Sequence, residues 1–134
     1  INMAQFKTLF QKIDYIGFIF VSALFFVNGI MKIMQIDGVK LWMESYGIPG
    51  DLIYPAIIIE IVAPIMLVLG FKRDFAALIL MLFCIMTAFI FHSSFASPIE
   101  ITAFLKNVAL AGGLYFLIRF QKLLDSIKSS NQES

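Results

Sequence analysis

Four apolar stretches constrain this chain more than any motif does: roughly Ile13 to Met34, Leu52 to Phe71, Phe75 to His92 and Pro98 to Phe120. A bilayer core takes ~20 helical residues, within a range of about 17–25, so each stretch is long enough to cross it. Backbone in hydrocarbon must satisfy its own hydrogen bonds, which separate segments of this length do as helices. Composition points the same way. Hydrophobic residues make up 60% of the chain and charged residues 14%, against about 45–50% and about 25% in soluble globular proteins. The expected fold is all-α, an integral membrane four-helix bundle forming one domain over residues 13–120. A cytoplasmic segment, 1–12, precedes it, and a Ser-rich polar tail, 121–134, follows and is expected to fray.

The single cysteine, Cys84, excludes an internal disulfide or paired-thiol chemistry within one chain, and one Cys with one His makes no soft-ligand metal site. A net charge of +1 singles out no partner, and no nucleic acid is expected. Ile1 and Asn2 precede the first methionine, Met3, and are read as additions ahead of it. The first span follows Lys7 and Lys12 as a signal sequence would. It is too long for an h-region and no small-x-small site follows, so it reads as a retained anchor. With Lys7, Lys12, Lys72, Arg73, Arg119, Lys122 and Lys128 on one side and only Lys40 clearly exposed on the other, both termini are expected in the cytoplasm. Gln35 to Asp51 and Ser93 to Ser97 then face outward.

The first outer connection carries a pattern of its own. Across Gly38 to Tyr46, Val39, Trp42 and Met43 oppose Lys40 and Glu44, which suits a short interfacial helix with Trp42 and Tyr46 at headgroup level. Gly47-Ile48-Pro49-Gly50 stops it. Gly70 to Asp74 is a minimal turn, so the second and third spans are expected to be antiparallel neighbours.

Polar residues within the spans gather at one depth. Glu60 lies ~12 Å below the outer end of the second span and Lys106 ~12 Å below that of the fourth, so the two are expected to meet. Asn28 lies ~9 Å below the outer end of the first span, with Lys32 one turn above it on the same face. His92 ends the third span and Glu100 opens the fourth. On the fourth, Glu100, Ala103, Asn107 and Ala111 follow steps of three and four, flanked by Lys106 and Gly113. With the small-xxx-small pair Ala109 and Gly113, this side is expected to pack inside the bundle. Pro64 has no amide hydrogen and frees the carbonyl of Glu60, one turn back.

Each feature has a plainer role beside the functional one. A Glu60–Lys106 pair could simply fix helix register. Asn28 suits interhelical glue, worth ~1 kcal/mol. His92 suits an interfacial histidine, Cys84 a small buried apolar side chain, and Pro64 an ordinary kink. An intramembrane carboxylate nevertheless marks a functional site by default, with its partner to be named.

Asn28-Gly29-Ile30-Met31-Lys32, the interfacial stretch closing on Gly47-Ile48-Pro49, Glu60, Gly70 before a basic turn, and Lys106-Asn107-Val108-Ala109-Leu110-Ala111-Gly112-Gly113-Leu114 form an ordered set. Over roughly Ile13 to Phe120 this set resembles the DoxX family of small four-helix bacterial membrane proteins. The resemblance implies a bundle in the cytoplasmic (inner) membrane and an association with quinone-linked oxidoreductases such as thiosulfate:quinone oxidoreductase.

The leading expectation is a membrane subunit or partner of such an oxidoreductase, binding a quinone or similar amphipathic molecule in an outer-half pocket. A quinone needs an apolar slot, hydrogen-bond donors for its carbonyls and a group to exchange protons. Lys106, Asn107, His92 and Asn28 supply donors, Glu60 and Glu100 proton carriers, and Lys32 a second cation. No haem-ligand pair, flavin motif or nucleotide loop is present, so no cofactor is intrinsic and electrons must come from a partner protein. The isolated chain is therefore not read as an enzyme. Two other classes remain open. One is a proton-coupled transporter, which at this size needs a homodimer to supply paired repeats. The other is an accessory protein that assembles a partner complex without ligand chemistry.

Overall fold

The computed structural model describes residues 2–134, which form helices and short connections. In chain order they are α1 Met3–Met34, α2 Ile36–Ser45, α3 Ile53–Leu69, α4 Arg73–Phe91 and α5 Pro98–Glu133, with a 3-10 turn, Gly50–Leu52, leading into α3. The four long helices are long and apolar enough to cross a membrane, and α2 is the short helix expected between the first two spans.

The ends differ from the expectation. α1 starts at Met3, where Asn2 and Gln5 cap the helix reciprocally: each amide donates to the other's side chain, at 3.0 and 2.8 Å. α5 continues to Glu133, so the tail expected to fray is helical. Lys122, Leu123, Leu124 and Lys128 are good helix formers, and Gln121 donates to Asp125 one turn on at 3.0 Å. At ~1.5 Å per residue, helices of 32 and 36 residues exceed a ~30 Å hydrocarbon core, so both project beyond it at the end bearing the termini.

The helices pack in the order α1, α3, α4, α5. Among the described residues no Cα of α1 lies within 8 Å of a Cα of α5, so the fourth side of the bundle is not closed by backbone approach. The turn between α3 and α4 is tightly made. Gly70 adopts φ 79°, the left-handed conformation that ends helices, and the amides of Gly70 and Phe71 both donate to the Met66 carbonyl at 3.0 Å. Arg73 Nε donates to the Leu67 carbonyl at 2.7 Å, while its guanidinium lies 3.9 Å from the Phe18 ring centroid. One side chain thus ties α1, α3 and α4.

Above that turn is the tightest core. Ala63, Leu67, Ala76, Ala77, Leu80 and Leu114 are buried together, and Cys84 joins them as the expected small apolar side chain. On α5 the buried stripe includes Asn107, Ala111 and Leu114, with Asn107 half-buried. Ala109 and Gly113, expected inside, are exposed, and a methyl added to Gly113 would meet nothing within 4 Å. The reason is topological: α5 has α4 as its one helical neighbour, so only one narrow face is covered.

Candidate functional site

Between the long helices, at the end covered by α2, lies a cavity of about 240 Å³. Phe25, Phe83, Ile90 and Leu110 give it apolar walls. Asn28 and Lys32 reach it from α1, Glu60 from α3, Thr87 from α4, and Lys106 and Asn107 from α5, with His92 just beyond the end of α4. The structure therefore gathers six of the seven residues singled out in the sequence. Glu100 does not line the cavity. It is half-buried in the first turn of α5, where its amide donates to Ser97 Oγ at 3.3 Å.

Glu60 has a different partner from the one expected. Lys32 Nζ lies 2.7 Å from Glu60 Oε2, and the Glu60 side chain is 3% exposed against 25% for Lys32. Among the described residues Lys106 has no carboxylate within 4.0 Å. Both residues line the same cavity, but position along a helix does not say which helices are neighbours. α3 lies against α1, and Gly29 lets them approach: a methyl there would come 2.7 Å from Ile61 Cδ1 and 3.2 Å from Glu60 Cβ. Lys32, nearly one turn beyond Gly29, is thereby brought to Glu60. Pro64 is buried one turn below.

The opposite wall is held by neutral hydrogen bonds. Asn107 Nδ2 donates to Thr87 Oγ1 at 3.3 Å, and that hydroxyl is placed to donate to the carbonyl of Phe83 at 2.9 Å or Cys84 at 3.2 Å. Thr87 went unnoticed in the sequence, although it is the one hydroxyl in α4. Lys106, over a third exposed, stands beside Asn107 on the edge of α5 that α4 leaves uncovered.

α2 forms an aromatic roof. Trp42 stacks on Phe91 with centroids 4.6 Å apart, and Tyr46 meets both rings edge-on at 5.2 and 5.3 Å. Trp42 was expected at the headgroups, yet it also lines the cavity. Lys40 ion-pairs with Asp51 at 2.8 Å, pinning α2 to the entry of α3, and that carboxylate holds the Lys40 ammonium above its ordinary pKa. The two elements touch closely at Gly50, where a methyl would meet Glu44 Oε1 at 2.6 Å. Burial, then the Lys106 ammonium, pushes the His92 imidazole below its ordinary pKa, with Glu100 opposing. A neutral imidazole can both donate and accept.

A volume of about 240 Å³ is below the ~300–1,000 Å³ of sites that enclose a drug-sized ligand. It has room for a ring or compact head, and a long tail would leave between the helices. A second space of about 250 Å³, between α1 and α3 around Pro64, is lined by Ser22, Phe26, Ile65 and Val68 and has no charged group.

A family model described as DoxX matches residues 15–93, which is α1 from its fourth turn through α4. Inner membrane protein YqjF of Escherichia coli (strain K12) is 33% identical over 111 residues, spanning 80% of this chain and 85% of that protein. No solved structure matches the chain. The family match, the similarity to YqjF and the four apolar helices agree, and this multi-pass membrane protein belongs to the DoxX family.

Proposed function

We propose that this chain is a subunit or partner of a quinone-linked oxidoreductase in the bacterial cytoplasmic membrane, holding a quinone or similar amphipathic molecule in the cavity beneath α2. The carrying observation is one cavity with apolar walls, an aromatic roof and hydrogen-bonding groups from all four membrane-length helices. Trp42 and Phe91 suit a flat ring, while Asn28, His92 and Lys106 can donate to its oxygens. The name of the E. coli relative supports the inner membrane. The basic residues Lys7, Lys12, Lys72, Arg73, Arg119, Lys122 and Lys128 support cytoplasmic termini, and in that orientation the cavity would lie in the outer half of the bilayer. The chain would hold the ligand and the partner would deliver electrons.

A photoreactive short-chain benzoquinone tests this reading. It should label peptides bearing Trp42 or Phe91 in the wild type, and labelling should fall sharply in Ala56→Phe, which fills the cavity from α3. Equal labelling of the two proteins at matched membrane abundance would overturn it.

A further inference from the structure

We infer that the preferred ligand of this cavity is an amphipath with a compact head carrying one negative charge, held by Lys106 and entering sideways between α1 and α5. The inference rests on the cavity being a ligand site and specifies the chemistry of its occupant.

The cavity's charges do not balance. Lys32 and Glu60 cancel across 2.7 Å, and His92 is held toward its neutral form. That leaves the Lys106 ammonium, which has no carboxylate within 4.0 Å among the described residues. The carboxylate of Glu100 is on α5 too, about 120° around the helix from Lys106. It lies ~9 Å further along the axis and outside the cavity lining. An ammonium at membrane depth requires an anion, water or the interface. An anionic head lodged between the Glu60–Lys32 pair and Asn107 would supply the missing charge where the dielectric is low and pairing is strong.

The route follows from the packing. A ligand with an acyl or prenyl tail must come from the bilayer, and the cavity is too small to hold such a tail. α1 and α3, α3 and α4, and α4 and α5 pack against each other, whereas among the described residues no Cα of α1 comes within 8 Å of a Cα of α5. Lys106 stands on that uncovered edge of α5. The tail then remains in the lipid while the head reaches the ammonium.

The chain offers its own probe, because its one tryptophan, Trp42, lines the cavity. A dibrominated long-chain fatty acid, kept ionised at alkaline pH, its methyl ester and a brominated phosphatidylglycerol are titrated against the full chain in neutral detergent, following bromine quenching of Trp42. The acid should bind about tenfold more tightly than the ester. That preference should vanish in Lys106→Gln and return in Lys106→Arg. Stronger binding of the phosphatidylglycerol than of the acid, with the same Lys106 dependence, would assign the anion to a lipid headgroup and support the inference equally. Equal affinity of acid and ester in the wild type, or an unchanged preference in Lys106→Gln, overturns it. A short-chain benzoquinone that quenches Trp42 while the acid has no advantage leaves the cavity as a ligand site and removes only the charge preference. No quenching by any of the four removes both.

Discussion

The two halves of this bundle are made by the same four helices and packed by opposite means. Toward the α3–α4 turn, Ala63, Ala76 and Ala77 surround Leu67 and Leu80, each of them at most 5% exposed, and Arg73 closes the end from outside the core. Toward α2, Phe83, Thr87, Ile90 and Asn107 line a space between the helices, and the charges sit around it. Lipid is as apolar as leucine, so burial alone draws no helices together, and close packing needs small residues. Toward α2, Gly29 draws α1 and α3 together and Ala88 is fully buried, while a cavity remains among the larger side chains.

The largest expected effect bears on the charged half. Lys32→Met strands Glu60 and should cost on the order of 3–5 kcal/mol. Adding Glu60→Gln should recover much of that loss in unfolding measured by steric trapping. Lys106→Met combined with Glu60→Gln should instead be additive, since those two do not pair. Additivity for the Lys32 combination would break the contrast at its centre.

Next comes the tight half. Leu80→Ala should cost about 1–3 kcal/mol, the packing part of the ~2–5 lost in a soluble core, because transfer to lipid adds little. Ile90→Ala, beside space that already exists, should cost clearly less in the same assay. Equal losses would mean that the cavity half is as tightly packed as the other.

A smaller effect is expected from Asn107→Leu, which removes the bond to Thr87 and should cost ~0.6 kcal/mol, the average for interhelical bonds in a membrane. Benzoquinone labelling should fall well beyond what that loss explains. Labelling that merely tracks stability would make Asn107 structural.

The smallest effect is electrostatic and has a definite sign. The chain has a single histidine, so NMR of labelled His92 reads one titration. Lys106 lowers its pKa and Glu100 raises it. Lys106→Gln should therefore move it upward and Glu100→Gln downward. Shifts of the same sign would place one of these charges elsewhere.

Much of this was legible in the sequence, and the failures have one cause. Hydropathy located the four spans, the Trp42 region gave the short helix, and steps of three and four put Asn107 and Ala111 inside. Glu60 was read as buried for the same reason: an ionised group in an apolar run has nowhere else to go. Its partner was misread because axial position fixes height and leaves the order of helices around the bundle undetermined. The same gap hid the exposure of Ala109 and Gly113. The roof was missed because Trp42 satisfies the headgroup pattern and the cavity together. Residues beyond Asp125 continue α5 although Ser126, Ser129, Ser130 and Asn131 are indifferent helix formers and no core requires it.

The Lys32–Glu60 pair also sets a problem of timing. The chain emerges N-terminus first, so Lys32 reaches the bilayer ahead of the carboxylate that neutralises it. Its place two residues from the end of α1 lets the long side chain snorkel to the interface in the interval. Glu60 sits mid-helix in α3 and has no such refuge. The pair therefore couples the placement of α3 to that of α1, because the carboxylate is matched only where α1 lies beside it.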